Sequence, residues 1–464
     1  MLEQSYINRQ ILEVKKGGAY IFLRKIFTLI KLIVFTPSYF FTLPFLLIIY
    51  LIRPWFLVRF GYLPSSRIGH FALNIELYLC EKEYGFYNVG KPYIDLFCFK
   101  EISNKQLAKM WKRKINILPT WILLPIINLN IFFKKLFSTC KVHETFENTD
   151  KIDDWHDLLD KSNPHLQFTK KEKIYGKKCL KQFGLSDQDK FVCLDVRDQA
   201  FLDKNFPEKE WKHHSLRNVE LDNFLLAAEE IAKRGYYVFR MGKKVLKPLK
   251  TSNPKIIDYA NLNLRSDFLD IFLGANCEFY IGSGSGFSSI PYIFRKPLAR
   301  IVFPLVRVVK PKINHTKLVT GRKNETLYVD FGHSSRNGIT LTKHYILKEN
   351  EKELTLNEIF LKNLALDGNE NYFLENGIIV KDPTSNEIKD MAIEMIDLLE
   401  KKWTPSKIDT ELEEKVQSIF DKNINSSIFK IKVLENFKIK FTHVGKFKGK
   451  ISNSYLRNNL NWLN

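Results

Sequence analysis

The sequence predicts an α/β protein built around a parallel, doubly wound sheet. From residue 169 onward, apolar runs of strand length alternate with helical segments in units of about 30 to 40 residues, the alternation that produces parallel sheets. Small or charged residues directly follow three of these strands: Arg197, Gly242 and Ser283–Gly286. Ligands of such sheets bind beyond the carboxyl ends of the strands, so these three positions predict one binding crevice.

Each element of this region is bounded by its own sequence signals. The predicted strands are Phe191–Val196, Tyr236–Arg240, Lys255–Tyr259, Glu278–Ile281 and Leu298–Phe303. The predicted helices between them are Lys170–Phe183, ended by Gly184, Leu221–Arg234, ended by Gly235, and Ser266–Gly274, capped by Ser266.

The most informative stretch is Phe279–Pro297, FYIGSGSGFSSIPYIFRKP. An apolar strand turns through Gly282-Ser283-Gly284-Ser285-Gly286 into residues spaced as in a helix. Such a turn offers free backbone N–H groups and a positive helix end, and the hydroxyls of Ser283, Ser285 and Ser288 would add donors, so it predicts a phosphate site. The alternative is a turn with a purely structural role.

Composition favours an anionic partner. The 464 residues suffice for two or three domains, 45% are hydrophobic, and the net charge is +21. Such a charge favours binding of nucleic acid, an anionic membrane or a phosphorylated substrate. The alternative is that the basic residues only form a solvated surface. Nucleic acid is disfavoured because the basic residues are spread without RNA-binding signatures. The six cysteines lack metal spacing and predict buried, reduced thiols in a cytosolic compartment, and no cleavable signal peptide is evident.

The N-terminal region predicts membrane association. Residues 1–27 are basic and amphipathic, and Thr28–Ile52 is almost wholly apolar, which is long enough to span a bilayer. Pro37 and Pro44 interrupt the run and positive charge flanks both ends, so a helical hairpin dipping into the cytoplasmic leaflet is favoured over a clean span. A core hairpin of a soluble domain is the alternative.

The segment RIGHFALNIELYLC, residues 67–80, predicts a second part of the site. Gly69 permits a tight turn from the strand before it into a helix, which places Arg67 and His70 at a helix N-terminus facing the crevice. His70 is the best candidate for a general base, since its pKa lies near neutrality and the helix end favours the neutral form. A histidine that only caps its helix is equally compatible with the pattern, and Glu76 is an alternative base.

Three arginines are candidates for donor binding. Arg197 leaves a buried strand and could grip a diphosphate, or it could pair with Asp195 or Asp198. Arg240 ends the next strand and Arg217 lies in a polar loop; either could contact a nucleotide sugar or be solvated.

No metal site is predicted. Asp187-Gln188-Asp189 has the D-x-D pattern of metal-binding sugar transferases, but it precedes a strand and therefore lies at the wrong end of the sheet. His213-His214 lacks matching ligands.

Four stretches resemble a family of bacterial glycosyltransferases from surface-polysaccharide loci, itself similar to the fucosyltransferase-like branch of the GT-B enzymes. They are RIGHFALNIE (67–76), CLDVRD (193–198), RNVELDNFLLAAEEIAKRGYYVFRMG (217–242) and DFLDIFLGANCEFYIGSGSGFSSIPYIFRKP (267–297). The resemblance aligns RIGHFA with the turn that opens the first domain, with His70 where asparagine is usual. It aligns Arg197 with the arginine that contacts the donor diphosphate, and Phe279–Gly286 with the turn that lines the donor. Asp195 and Asp198 replace a histidine and a second arginine of that branch, which leaves the sugar nucleotide open.

The resemblance implies two Rossmann-type domains facing a cleft. We expect a membrane-associating segment (1–54), an acceptor domain (55–165), a nucleotide-sugar domain (166–345) and a helical, basic extension (346–464). It also implies that a sugar is transferred from a nucleotide sugar without a metal or other cofactor. The implied acceptor is a glycan or lipid-linked acceptor of lipopolysaccharide or capsule synthesis, and the implied location is the cytoplasmic face of the bacterial inner membrane. The alternative is a non-catalytic sugar-nucleotide- or glycan-binding protein on the same fold.

Overall fold

A computed structural model describes residues 39–145, 158–198, 216–305, 338–365, 370–426 and 450–464, and the short pieces 21–23, 26, 154, 307–309, 326–330 and 443–444. The predicted hydrophobic segment before residue 39 and the His213-His214 pair therefore lie almost entirely outside the described residues.

The elements follow the chain in this order. The first part holds α1 (residues 39–52), β1 (Leu57–Leu63), α2 (Ile68–Glu83), β2 (Tyr93–Phe99), α3 (Lys105–Trp111), α4 (Thr120–Leu136), α5 (Leu158–Lys161) and α6 (Lys170–Gln182). The central part holds β3 (Phe191–Asp195), α7 (Leu225–Lys233), β4 (Tyr237–Arg240), β5 (Ile256–Ile257), α8 (Asp267–Asn276), β6 (Tyr280–Gly282), α9 (Ser289–Ile293) and β7 (Leu298–Val302).

The remaining elements complete the sheet and the C-terminal region. They are β8 (Arg307–Val309), β9 (Thr326–Asp330), β10 (Ile339–Thr342), β11 (His344–Leu347), α10 (Leu356–Leu361), α11 (Glu370–Glu375), β12 (Ile378–Lys381), α12 (Ser385–Leu399), α13 (Lys407–Ile424), β13 (His443–Val444) and α14 (Asn453–Asn458).

The chain divides into two compact units. Unit 1 comprises Met1–Pro64, Asn88–Glu101 and Ile115–Thr149, and unit 2 comprises Ser65–Tyr87, Ile102–Lys114 and Asp150–Asn464. This division does not follow the predicted boundary at residue 165, because α2 and α3 group with the C-terminal part of the chain.

Unit 2 is organised around six parallel strands in the order β5-β4-β3-β6-β7-β10. The chain moves outward from β3 to β5, returns to the other side of β3 as β6, and continues outward to β10. This order is that of a doubly wound sheet with its topological switch point between β3 and β6. The predicted parallel sheet and its doubly wound order are therefore confirmed.

The C-terminal extension belongs to the core of unit 2. Val192 and Ile281 of the sheet share one apolar cluster with Met391 of α12, Val416 of α13 and Trp462. The last sixty residues lack clear periodicity in the sequence, yet they contain the 18-residue helix α13, which begins with a capping box formed by Ser406 and Asp409.

Unit 1 has a smaller sheet. Strands β1 and β2 pair in parallel, and α1 and α4 pack on the face that carries Val58 and Phe60. Two strands are fewer than a Rossmann-type domain has, so the second Rossmann-type domain stays a prediction. Within the residues described, no helix combines the length and the apolarity needed to cross a membrane.

Candidate functional site

Strands β3 and β6 bring Arg197 and the glycine-serine turn together at the switch point. The strands are in register with Asp195 opposite Gly282. Beyond their ends, the backbone N–H of Arg197 donates to Ser283 Oγ over 2.7 Å, and the N–H of Ser283 donates to the Asp195 carbonyl over 3.1 Å. The predicted meeting of Arg197 with this turn at one edge of the sheet is confirmed.

A buried carboxylate, Asp195, holds the turn in place. Its Oδ2 accepts from Ser285 Oγ at 2.5 Å and from the Tyr280 hydroxyl at 3.1 Å, and that hydroxyl in turn accepts from the N–H of Gly284. Burial raises the pKa of Asp195 to about 6, while the two hydroxyl donors and the charge of Arg240 oppose that rise. The sequence suggested only a salt-bridge role for Asp195; an acidic residue within the apolar strand FVCLDV was the available signal.

Two of the three serine hydroxyls, those of Ser285 and Ser288, already donate within the turn, which corrects the prediction from the sequence, whereas the hydroxyl of the buried Ser283 only accepts. Ser283 Oγ accepts from Arg197 and Ser285 Oγ is bound to Asp195, while Ser288 Oγ donates to the Ser285 carbonyl at 2.7 Å. The N–H groups of Ser285 and Gly286 have no acceptor within the described part of the chain. These two amides, together with the Ser283 hydroxyl, are the donors that the turn can offer.

The helix after the turn is shorter than predicted. A 3₁₀ turn at Gly286–Ser288 leads into α9, which has only five residues. A helix of one turn contributes little macrodipole, so the direct N–H groups carry any attraction for an anion here.

Three predicted site glycines have a conformational or steric reason. Gly284 adopts φ +72° and Gly242 φ +150°, values that side chains disfavour. At Gly282 a Cβ would lie 1.9 Å from the Asp195 carbonyl oxygen. Gly282 and Gly242 therefore build the strand ends, and nothing in their geometry requires a ligand.

The Arg197 side chain carries a positive charge that no described residue balances by a hydrogen bond. Arg197 is half-buried, its Nε is fully buried, and no described residue accepts a hydrogen bond from its guanidinium. Burial lowers its pKa, although the Asp195 carboxylate opposes this effect. A partly desolvated cation without an acceptor is costly, and an anionic ligand would remove that cost.

Helix α2 touches the turn through glycine. A Cβ on Gly69 would lie 3.1 Å from Gly286 Cα and 3.2 Å from its carbonyl oxygen, so the two backbones are in direct contact. The exposed Arg67 is the N-cap of α2, without a side-chain cap, and the half-buried His70 lies in its first turn. The sequence predicted that His70 lies in another domain, across a cleft from the turn, but the structure groups both in unit 2.

Glu76 and Arg240 are placed differently from the prediction, while the role of Arg217 stays a prediction. Glu76 is completely buried and bound to Arg295 Nη2 at 2.8 Å, so it is unsuited to act as a base. Arg240 is 1% exposed and donates to Asp258 Oδ1 at 3.1 Å, which makes it structural rather than donor-binding. The residue after Arg217 is Asn218, whose carbonyl accepts a hydrogen bond from the Lys343 ammonium group. Lys343 follows β10, which lies three positions from β3 in the order of the sheet.

The potential metal ligands that lie close together among the described residues are already balanced by an arginine. Among the described residues, one group of three could hold an ion: Glu76, Cys80 and His165. Arg295 Nη2 lies 2.8 Å from the Glu76 carboxylate and 3.7 Å from Cys80 Sγ, so a guanidinium already balances the charge. Burial also raises the pKa of Cys80 to about 12, which keeps it a neutral thiol.

The D-x-D pattern is engaged in local contacts. Asp187 pairs with Lys177, and Asp189 accepts from the N–H of Ser186 ahead of β3.

Comparisons with known proteins found only distant structural likeness. Neither the protein-family models nor the curated proteins contain a match. Among solved structures, the chain is similar to a family 9 glycosyltransferase from Veillonella parvula (11% identity, 61% of this chain and 86% of that chain, TM-score 0.37). It is also similar to ADP-heptose lipopolysaccharide heptosyltransferase II of E. coli (16%, 53% and 84%, 0.28) and to E. coli heptosyltransferase WaaC (12%, 69% and 100%, 0.26).

These neighbours are glycosyltransferases, and two are heptosyltransferases. The expected likeness to fucosyltransferase-like enzymes is not confirmed. At TM-scores this low the similarity carries no argument about activity, so any function has to be argued from the site itself.

Proposed function

We propose that this protein is a glycosyltransferase that moves a sugar from a nucleotide-sugar donor to a glycan or lipid-linked acceptor of surface-polysaccharide synthesis. One observation carries the proposal: Arg197, whose guanidinium has no acceptor among the described residues, follows β3 at the switch point of a doubly wound sheet, and its backbone is bound to the turn that carries two unused amides. Switch points of such sheets bind ligands, and a guanidinium with backbone amides suits a diphosphate.

In this scheme, the donor diphosphate is held by Arg197 and by the N–H groups of Ser285 and Gly286. Negative charge grows on the diphosphate as it leaves the sugar, and these fixed donors stabilise that charge in the transition state. His70 accepts the proton of the attacking acceptor hydroxyl. The contact between Gly69 and Gly286 is consistent with this role, because it brings the first turn of α2 to the diphosphate turn.

The same proposal includes membrane association at the cytoplasmic face of the inner membrane through residues 1–54. A lipid-linked acceptor requires an enzyme that works at the bilayer surface. The nearly unbroken apolar run of Thr28–Ile52 and the basic residues around it support this.

The direct test is a donor screen. UDP-, GDP- and CMP-sugars are titrated while thermal stability and release of the nucleoside diphosphate or monophosphate are followed, with and without EDTA. We expect one nucleotide class to raise Tm and turnover that EDTA leaves unchanged. Turnover that requires a divalent ion contradicts the scheme.

A sugar-nucleotide-binding protein without activity is the second candidate. The observation that favours it is that the Ser285 and Ser288 hydroxyls donate within the turn, which leaves fewer donors for transition-state charge. Saturable binding of a nucleotide sugar with no hydrolysis or transfer, with purified lipid fractions as acceptors, would identify this case.

A further inference from the structure

Unit 1 carries a layer of two helices with an apolar outer side. Even-numbered residues of β1 and β2 share one face of the small sheet, and α1 and α4 both pack on that face through Leu46, Leu123 and Ile127. The two helices contact each other, since the Tyr50 hydroxyl donates to Asn130 Oδ1 at 2.7 Å. Because both cover the same face of the sheet, the sides opposite their buried residues face away from it together.

The outer side of α1 is apolar throughout. Its inward residues are Leu46, Ile49 and Tyr50, and its outward residues are large and strongly exposed. These are Phe40 (84%), Phe41 (75%), Phe45 (63%), Ile48 (52%) and Leu51 (72%). A soluble monomer seldom exposes so much contiguous apolar surface without a partner.

Helix α4 continues this surface, although the sequence predicts it only as a helix of the acceptor domain. Trp121 (66%), Phe132 (56%) and Leu136 (62%) lie on its exposed side, and Phe137 (58%) follows directly. Exposed tryptophan and phenylalanine are the residues that favour the boundary between lipid headgroups and acyl chains.

The charged residues of the two helices are all basic, and the acid near them is Glu144, whose carboxylate lies 2.7 Å from Lys134 Nζ. No aspartate or glutamate occurs between Glu13 and Glu76 or between Glu101 and Glu144, so neither helix carries an acidic residue. Arg53 Nη1 donates to the Thr139 carbonyl at 3.2 Å, which joins the ends of α1 and α4, and Lys134 and Lys135 lie at the same end of α4. An apolar area bordered by cations complements an anionic lipid surface.

We propose that the outward side of α1 and α4 docks on an anionic bilayer surface. The inference rests on the membrane association included in the proposed function, but not on the transfer chemistry. It assigns to α4, and not only to the N-terminal segment, direct contact with lipid. The contact is interfacial, with aromatic side chains inserted beside the headgroups and Lys135 paired with a lipid phosphate, since Lys134 is bound to Glu144.

The test compares full-length variants in co-sedimentation with phosphatidylcholine vesicles that contain or lack phosphatidylglycerol. Phe132→Ser combined with Leu136→Ser should lower partitioning about ten-fold or more, since each side chain loses its transfer from water. The matched control is Ile174→Ser with Ile408→Ser, which alters two equally exposed helical residues of unit 2 (69% and 61%) and should bind as wild type does. Lys135→Glu should weaken binding only to the vesicles that contain phosphatidylglycerol.

A second measurement reports contact directly. Brominated lipids quench tryptophan fluorescence at the membrane boundary, and Trp121→Phe should remove part of that quenching with little loss of binding. If the α4 double variant binds fully and Trp121→Phe leaves the quenching unchanged, lipid contact lies elsewhere and the inference is overturned. It is equally overturned if the wild type ignores vesicles and sediments as a dimer that the double variant dissociates. Nucleotide-sugar binding, measured on the same variants, stays at the wild-type level if only the docking surface is altered.

Discussion

Replacing Arg197 by alanine should separate ligand binding from stability. If the guanidinium binds a diphosphate, its loss removes at least one charge-assisted hydrogen bond, which contributes about 1.5–3 kcal/mol. The dissociation constant of the preferred nucleoside diphosphate should then rise roughly 10- to 150-fold. Folding should not suffer in proportion, because Nε is buried without an acceptor among the described residues, so the side chain adds a desolvation cost to the folded protein.

The assay pairs isothermal titration of the nucleotide with thermal unfolding of the ligand-free protein. We expect a Tm within about 2 °C of wild type for the Arg197→Ala protein. The nucleotide affinity of Arg197→Lys should fall between those of the wild type and of Arg197→Ala, since lysine keeps the charge but lacks the planar guanidinium that binds two oxygens.

Arg234→Ala is the matched control. Arg234 lies just before β4, at the amino edge of the sheet, where it pairs with Asp397 and Glu230. Its removal should cost stability and leave nucleotide affinity unchanged. If Arg197→Ala instead lowers Tm by much more than about 2 °C while the folded variant binds the nucleotide as tightly as wild type does, Arg197 is a structural residue and the diphosphate site has been placed wrongly.

Three further substitutions probe the neighbours of Arg197. Gly69→Ala should lower the free energy of unfolding by about 1–3 kcal/mol in urea titrations, because its Cβ would press on the Gly286 backbone at 3.1 Å. Gly286→Ala should lower it less, because its Cβ would have contacts no closer than 3.4 Å. The reverse ranking of the two variants would refute the contact. His70→Gln should abolish sugar transfer with nucleotide affinity kept within about two-fold, and a residual rate near that of the wild type would exclude His70 as the base. Asp195→Asn should flatten the pH dependence of stability. The pKa of Asp195 is about 6 in the folded protein and 3.8 in an unperturbed aspartate, so wild type loses up to about 3 kcal/mol of stability as the pH rises from 4 to 6, and the variant lacks this loss. The similar carboxyl of Asp270, also raised to about 6 by burial, is present in both proteins and cancels in the difference between them.

The sheet of unit 2 was predictable because its strands are buried on both faces. Such strands appear as continuous apolar runs, as in FVCLDV and in the run before Gly282, and the helices between them leave only a parallel arrangement. Since parallel strands end at a common edge, the meeting of Arg197 with Ser283 followed from the pattern even though 86 residues separate them.

The grouping of α2 was not predictable, because it depends on contacts between distant parts of the chain. The sequence RIGHFA indicates a strand-to-helix turn but not the surface on which the helix packs. Gly69 fits against Gly286 and the Trp111 indole donates to the Phe71 carbonyl at 3.0 Å, and both contacts lie within unit 2. A single-sequence pattern contains no trace of either pairing, so the sequence predicts α2 in the domain of its neighbours along the chain.

The glycine-serine turn shows what a local motif leaves open. Its composition indicates that hydrogen-bond donors are present but not which acceptors they serve, and the nearby carboxylate of Asp195 takes the Ser285 hydroxyl. Bound to Asp195 and to the backbone of Arg197, the two serines make the turn rigid, and a rigid turn loses little entropy when a ligand arrives. The amides of Ser285 and Gly286 are therefore held in fixed positions in a turn that is bound to the Arg197 backbone, and under the proposed function this is the preorganisation that stabilising a leaving diphosphate requires.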